Sequence, residues 1–504
     1  MIKLIYRIES DYMSKKRMLI VTSVTLSVVT ISLGIVKLYQ TYALSNYIGT
    51  VTDTGIDVYI NDDSYASIPA NGSSNVYYML TNTNPGTVKY GVAYQTTSGV
   101  TVKVYDTSED PATGTIEEND KKYIKLHLEN KNSTNKTIEL STVLGYENGG
   151  DLVVPSGVTL VTDTYTPPPT AAEYITKLYT TASKTTVTNN SITYNTAPSV
   201  SLMNDRLGGT TTDLDGGNIR YYGASPNNYI YFNCSDYSNQ TSSTCETWRI
   251  IGVFDGKLKL IKGSQIGTYS WDNKNTNTGA ENNYGKNDWT TARLMKLLNP
   301  SDYYTVDSND NNLGQSLYYN STSGKCYSGQ NNATKDCDFT STGIKDTTRN
   351  MIAETTYYLG GWNNVSVYPN QIYEYERGTT VYTGRPTTPW TGKIALAYPS
   401  DYGYAADLNQ CKDKTLYDYD NRTCTSNNWM KAIITNNGSN TGWLLTPYSG
   451  NSYYAWIVTS DGRVTRSNIA YYAYGAVPVL SLSSELGIES GGDGSSSNPY
   501  KLSA

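Results

Sequence analysis

The chain holds one histidine, His127. The residues after it can therefore assemble neither a Ser-His-Asp nor a Cys-His arrangement, and histidine-ligated iron is excluded there as well. His127 itself stands in Ile124-Lys125-Leu126-His127-Leu128, where alternation puts it on the polar face of a strand rather than in a site. The carboxylates offer one close pair, Glu374 and Glu376 in Tyr-Glu-Tyr-Glu-Arg, projecting from one strand face near Asp401. Glycoside hydrolysis needs two carboxyls on opposite sides of the scissile bond, which neighbours on one face do not provide, so a solvated strand is the reading. Asp307-x-Asn309-x-Asn311 begins like a calcium loop, but Asn312 stands where the loop needs Gly and Tyr318 where it needs Glu. No metal and no cofactor are expected, and the chain is read as non-enzymatic.

What remains is aromatic. Tyr outnumbers Phe by 48 to 3 and only 17% of the residues are charged, which suits extracellular β-structure with polar, adaptable surfaces. Compositional drift, with Tyr filling cores in place of Phe, is the alternative. Tyr453, Tyr454, Trp456, Tyr471, Tyr472 and Tyr474 stand among Ser, Asn and Gly and form the expected ligand-binding face, because such residues give a large contact area at low entropy cost. Trp248 and Trp443, with aliphatic neighbours, are assigned to the core. The 6 cysteines fall into three couples of nearly equal spacing: Cys234 with Cys245, Cys326 with Cys337, and Cys411 with Cys424. Local pairing is favoured over the other connectivities; each loop of about a dozen residues would then contribute about 3 kcal/mol through chain entropy. The tight Cys/His clusters of a metal site are absent, so disulfides and an oxidising compartment follow.

The elements that must carry this face begin with a hairpin. Ala455, Ile457 and Thr459 alternate with Tyr454, Trp456 and Val458, and Asp461-Gly462 is a strong turn signal that puts both residues at positive φ. The alternation predicts one aliphatic and one aromatic face. A further run, 476–483, contains Pro478, which argues for an edge position or an irregularity in the sheet. One helix is expected after Asp288, with Ala292, Met295 and Leu298 on one stripe, and another from Asp346 to Leu359, ending at Gly360-Gly361.

Upstream, seven short alternating runs between Tyr47 and Tyr165 have the spacing of a β-sandwich. Thr166-Pro167-Pro168-Pro169 is a stiff joint, after which Thr170-x-x-Glu173 is a capping box that opens a helix. Residues 18–36, which begin at Met18 and end at Val36, carry no charge and follow Lys15-Lys16-Arg17. This is long enough to cross a bilayer with the N-terminus inside. Cleavage near Ala43 as a signal peptide is the rival, particularly if Met13 is the true start. The net charge of −6 argues against a nucleic-acid partner.

The order Trp443-Leu444-Leu445-x-Pro447, then Ala455-Trp456-Ile457-Val458-x-x-Asp461-Gly462, then Tyr474-Gly475-x-x-Pro478-x-Leu480 resembles the C-type-lectin-like fold. More narrowly it resembles uncharacterised modules of Gram-positive bacterial surface proteins, related in shape to formylglycine-generating enzymes. Trp248-Arg249-Ile250-Ile251-Gly252, the helix between Trp289 and Leu298, and the segment between Ile394 and Ala405 fit the same pattern. Leu445-Thr446 and Val477 stand where that family often carries Arg-Ser and Arg, so no role of those arginines is carried over. The cysteine pair on which formylglycine-generating enzymes rely has no counterpart in the C-terminal core, so that activity is not carried over either.

The expected chain is thus multidomain: a cytoplasmic N-terminus at 1–17, a transmembrane signal-anchor at 18–36, an all-β sandwich stalk at 45–165, a proline-rich joint and helix at 166–199, an α+β C-type-lectin-like domain at 200–485 and a polar tail at 486–504. The implied function is a cell-membrane, adhesin-like extracellular protein that recognises a glycan or a protein. The alternatives are a structural or envelope-assembly component without ligand and, third, a carbohydrate-active enzyme.

Overall fold

The computed structural model describes residues 44–52 and 55–59 as backbone, and residues 65–82, 86–144, 152, 154–206, 213–273, 284–306, 313–330, 332–382, 389–435, 441–466 and 470–503. The chain forms two units, Met1–Pro167 and Pro168–Ala504, divided within the proline run.

The first unit is built from two sheets. The six-stranded sheet runs in the order Thr164–Tyr165, Val100–Tyr105, Lys121–Asn130, Gly72–Asn82, Leu44–Thr52, Gly55–Tyr59. The other is ordered Val158–Leu160, Val88–Gln95, Lys136–Leu144, Tyr65–Ile68, with Thr113–Ile116 added to Val88–Gln95. Val76, Tyr78, Leu80, Ile124, Leu126 and Leu128 of the first meet Ile68, Tyr90, Val92, Ile138 and Leu140 of the second in one core, the period-2 consequence of two sheets packed face to face. Tyrosine serves in this core because its hydroxyl finds a partner: Tyr78 is fully buried and pairs with Thr142 Oγ1 at 2.7 Å. His127 points away from the core, yet it is not solvated. Its ring stacks on Tyr165 at 3.6 Å, and Nδ1 shares a hydrogen bond of 2.8 Å with Asn75 Oδ1. Burial holds its pKa below the usual histidine range against the pull of Glu129.

In the second unit a nine-stranded sheet runs Thr185–Asn189, Ile192–Ala197, Leu202–Asn204, Ile219–Tyr221, Glu246–Phe254, Lys257–Lys262, Val479–Ser481, Ile394–Ala395, with Tyr229–Phe232 added to Glu246–Phe254. A five-stranded sheet runs Thr268–Ser270, Ala473–Gly475, Gly442–Pro447, Ala455–Val458, Val464–Arg466. The central strands of both are buried on both faces. Trp443, Leu445, Ala455, Ile457, Ile250, Leu260 and Leu480 enter one core, while Leu444, Trp456, Val458, Ile251, Ile261 and Val479 enter a second. Alternation here separates one core from another rather than core from solvent.

Several expectations are corrected. Strands dominate both units, the longest helix among the described residues is Ala171–Thr181, and no helix among them is long and apolar enough to cross a membrane. The expected class, with a transmembrane helix, an all-β sandwich and an α+β domain, is therefore replaced by a strand-dominated two-unit chain. Residues 1–17 and 18–36 lie outside the described residues, as does the segment around Ala43.

The helix Ala171–Thr181 forms with its capping box, Glu173 N donating to Thr170 Oγ1 and Thr170 N to Glu173 Oε2, but it belongs to the second unit and buries Ile175 and Tyr179 in its core. The residues expected as a polar tail also join that core: Leu486, Ile488, Tyr500 and Leu502 are buried, and Gly487–Ile488 pairs with Leu502–Ser503. Pro478 precedes a strand that is paired on both sides, so the run is interior rather than an edge; Pro478 lacks an N–H, but its carbonyl accepts from Lys262 N at 2.9 Å. The helix that opens at Asp346 ends at Arg349. Beyond it Ile352 bridges Leu482 and Thr355–Tyr357 pairs with Trp390–Gly392, a pairing that suits β-branched Thr355 and Thr356.

The three disulfides join the expected couples, Cys234 with Cys245, Cys326 with Cys337 and Cys411 with Cys424. They mark an extracellular or secreted protein.

Candidate functional site

The six residues proposed from sequence separate into one that is core and five that share a surface. Trp456 is fully buried, packed with Val458, Val464 and Tyr448 in the second core, so it is corrected from ligand face to core. The misreading has a physical source: the aromatic face of the hairpin looks into another core.

The five tyrosines are brought together by two loops. Before Ala455–Val458, Asn451 Oδ1 accepts from Tyr453 N at 3.0 Å and from Tyr454 N at 2.8 Å. Asn287, 3% exposed, donates its side-chain amide to the carbonyls of Tyr448, Asn451 and Tyr454, each at 2.9 Å. The second loop is tied by Ser270 Oγ donating to Tyr471 O at 2.6 Å and by Ala470 N donating to Tyr453 O at 2.8 Å. A sixth tyrosine completes the row. Tyr284 lies 4.9 Å from Tyr453 and 6.3 Å from Tyr471, centroid to centroid. Tyr453 meets Tyr454 at 4.8 Å, Tyr471 meets Tyr472 at 4.9 Å, and Tyr472 stacks on Tyr474 at 5.7 Å. The row thus reads Tyr454, Tyr453, Tyr284, Tyr471, Tyr472, Tyr474. Tyr474 is seated on core Trp443 at 4.9 Å, and Arg466 lies over Tyr454 at the far end. Tyr284 and Tyr472 are the most exposed members, at 37% and 38%. Tyr284 escaped sequence reading because Glu-Asn-Asn-Tyr-Gly carries no periodicity; Tyr density was the one signal that could have found it.

Partial burial, and then neighbouring tyrosines, hold the hydroxyls of Tyr453 and Tyr471 above the ordinary phenol range. They stay neutral donors and acceptors at physiological pH. Beside the row lies a shallow surface groove lined by Asn287, Asp288, Trp289, Leu359, Val381, Tyr382 and Pro447. Tyr382 is 36% exposed and lies within electrostatic reach of Tyr453, so row and groove adjoin. Its lining is apolar in Trp289, Leu359 and Pro447 and polar in Asn287 and Asp288.

The carboxylate pair is also corrected. Glu374 and Glu376 lie on the helix Pro369–Arg377, which opens with Pro369 in its first turn, and not on a strand. Glu374 is exposed, whereas Glu376 is fully buried and accepts from Ser400 N at 3.0 Å and Ser400 Oγ at 2.6 Å. Asp401 is buried too, held by Lys259 and Arg220. The two carboxyls that come near each other are therefore Glu376 and Asp401, both in the interior, and neither lines the groove. Asp307, Asn309 and Asn311 lie outside the described residues.

No protein-family model matches the chain, and no curated protein matches it. Among solved structures the chain is similar to the crystal structure of envelope protein VP37 from White Spot Syndrome Virus, at 12% identity over 20% of this chain and 97% of that chain, with a TM-score of 0.11. A likeness of that size bears on neither fold nor function, and the resemblance to C-type-lectin-like modules receives no support from these comparisons.

Proposed function

We propose that the second unit is a non-enzymatic recognition module that holds a saccharide chain outside the cell, laying it along the tyrosine row. The observation that carries this reading is the row itself: six tyrosine rings in successive contact at 4.8–6.3 Å, partly exposed and fixed by the side-chain amides of Asn287 and Asn451. Tyrosine presents an apolar face and a hydroxyl at once, which matches the alternation of C–H and O–H on a sugar ring. Pre-ordering by Asn287 and Asn451 lowers the entropy cost of binding. A catalytic reading lacks partners here: the groove lining holds one carboxylate, Asp288, and the only histidine is in the first unit.

The test is retention of the purified chain on a saccharide array and in affinity electrophoresis, beside the Tyr284→Ala/Tyr472→Ala variant. The expected result is binding to at least one polymer, weakened tenfold or more in the variant at unchanged melting temperature. A folded wild-type chain silent on every saccharide overturns the reading and favours a structural component, the role that burial of Trp456 would suit. Binding only to proteins overturns the saccharide assignment while leaving the surface.

A further inference from the structure

The interior of the second unit carries a cluster of charges that the recognition reading does not use. Lys259 stands on the strand Lys257–Lys262 and Asp401 on the short helix Pro399–Tyr404. Lys259 Nζ donates to Asp401 Oδ2 at 2.5 Å, and Arg220 Nη1 donates to Asp401 Oδ1 at 3.0 Å. Arg220 Nε in turn donates to Asp205 Oδ2 at 2.5 Å. Side-chain exposures are 8% for Lys259 and 1% for Asp401 and Arg220. The rings of Phe254 and Tyr398 lie 4.9 Å and 4.8 Å from Lys259 Nζ. An ammonium and a carboxylate are thus held in contact, walled by aromatic rings. Their desolvation is costly, and it is only partly offset by their mutual attraction.

We propose that Lys259 and Asp401 condense into an intramolecular amide, so that strand and helix become covalently joined. The step balances without an added reagent. The ammonium passes one proton to Oδ2 along the existing hydrogen bond. The neutral Nζ then forms a bond to Asp401 Cγ while Arg220 Nη1 holds the charge that develops on Oδ1. The Cγ–Oδ2 bond breaks, and Oδ2 leaves as water with a second proton from Nζ. One C–N bond forms, one C–O bond breaks, and nothing is oxidised or reduced. The product keeps Oδ1 as an amide carbonyl on Arg220 and removes the ammonium and the carboxylate from the interior. Burial lowers the Lys259 pKa, and Lys259 and Arg220 hold the Asp401 carboxyl below its usual range against the opposing effect of burial, so the transfer to Oδ2 depends on the contact between the two groups rather than on their acidities. Pre-oriented partners in contact react with effective molarities that reach about 10⁵ M or more, which can carry a condensation unfavourable between free molecules in water. A second pair supplies the contrast: Lys262 is bonded to Glu246, whose side chain is 20% exposed, and water there stabilises the ions and favours hydrolysis.

The test needs the full chain with its disulfides formed, then reduced and alkylated for mass spectrometry. The expected intact mass is one water below that of the sequence. A tryptic digest should then yield a branched peptide joining the Lys259 and Asp401 segments, uncleaved at Lys259 and cleaved at Lys262. Asp401→Ala and Lys259→Met should restore the full mass, while Asp401→Asn should form the same amide with loss of ammonia. Wild-type chain of full mass, with linear peptides ending at Lys259, overturns the proposal. So does a missing water without the branched peptide, because an Asp-Gly succinimide would produce that deficit.

Discussion

Glu376 shows how a single buried carboxyl ties the fold to pH. Burial pushes its pKa up from 4.5 to about 7, against the opposing pull of Arg377 and the hydrogen bonds from Ser400. A carboxyl whose folded pKa is raised stabilises the fold fully below its unfolded pKa and loses that contribution as pH rises through the folded value. Here the window runs from 4.5 to about 7, and a shift of this size corresponds to about 3 kcal/mol. Glu376→Gln removes the titration and keeps the shape. The melting temperature of the variant should exceed that of the wild type most at pH 8, with the gap shrinking steadily toward pH 5. A gap that stays flat across that range would show that the carboxyl is not held neutral by burial. The same residue shows why spacing misled: Tyr-Glu-Tyr-Glu alternates like a strand, but Pro369 starts a helix and places Glu376 inward against Ser400 while Glu374 stays out.

Among the elements, the hairpin formed by Ala455–Val458 and Val464–Arg466 was the most legible in the sequence, and its turn differs in kind from the one expected. Gly462 has φ +93° whereas Asp461 is not at positive φ. Gly462 N donates to Thr459 O at 2.8 Å, and Thr459 N donates to Arg463 O at 2.9 Å. That is a type I turn closed by a glycine bulge rather than a two-residue turn. A Cβ on Gly462 would stand 2.6 Å from Thr425 Cγ2. Gly462→Val should therefore cost roughly 1–3 kcal/mol of backbone strain before that clash is counted. Thermal unfolding measures it, and a cost no larger than that of a surface substitution would mean that the turn relaxes freely. Local chemistry such as the Asp-Gly turn, the capping box at Thr170 and the cysteine couples was readable because a few adjacent residues decide it. Which face of a strand meets solvent was not, since Ile250 and Ile251, or Trp456 and Ile457, serve two cores that only the assembled sheets define. The helix expected to reach Leu359 failed for the same reason: pairing with Trp390–Gly392 outweighs a weak helical pattern.

For the second unit as a whole, the closing strands decide whether its core exists. Leu486, Ile488, Tyr500 and Leu502 are all at most 7% exposed, and at about 1.5–3 kcal/mol for each buried side chain they contribute about 6–12 kcal/mol, comparable with the net stability of an ordinary domain. A chain cut after residue 485 should lose the cooperative unfolding transition of the second unit, and that part of the chain should be digested quickly by protease. A truncated chain with an unchanged melting temperature would show that these residues only decorate the surface. Their arrangement also has an architectural consequence. Thr170 bridges Gly487, Ala171 N donates to Leu486 O at 2.7 Å, and Tyr229 N donates to Gly494 O at 2.9 Å. The opening of the unit and its closing segment are thus stitched side by side. A module whose entrance and exit share one doorway can be spliced into an exposed loop of an unrelated host without prising that loop apart, which makes this unit a portable cassette.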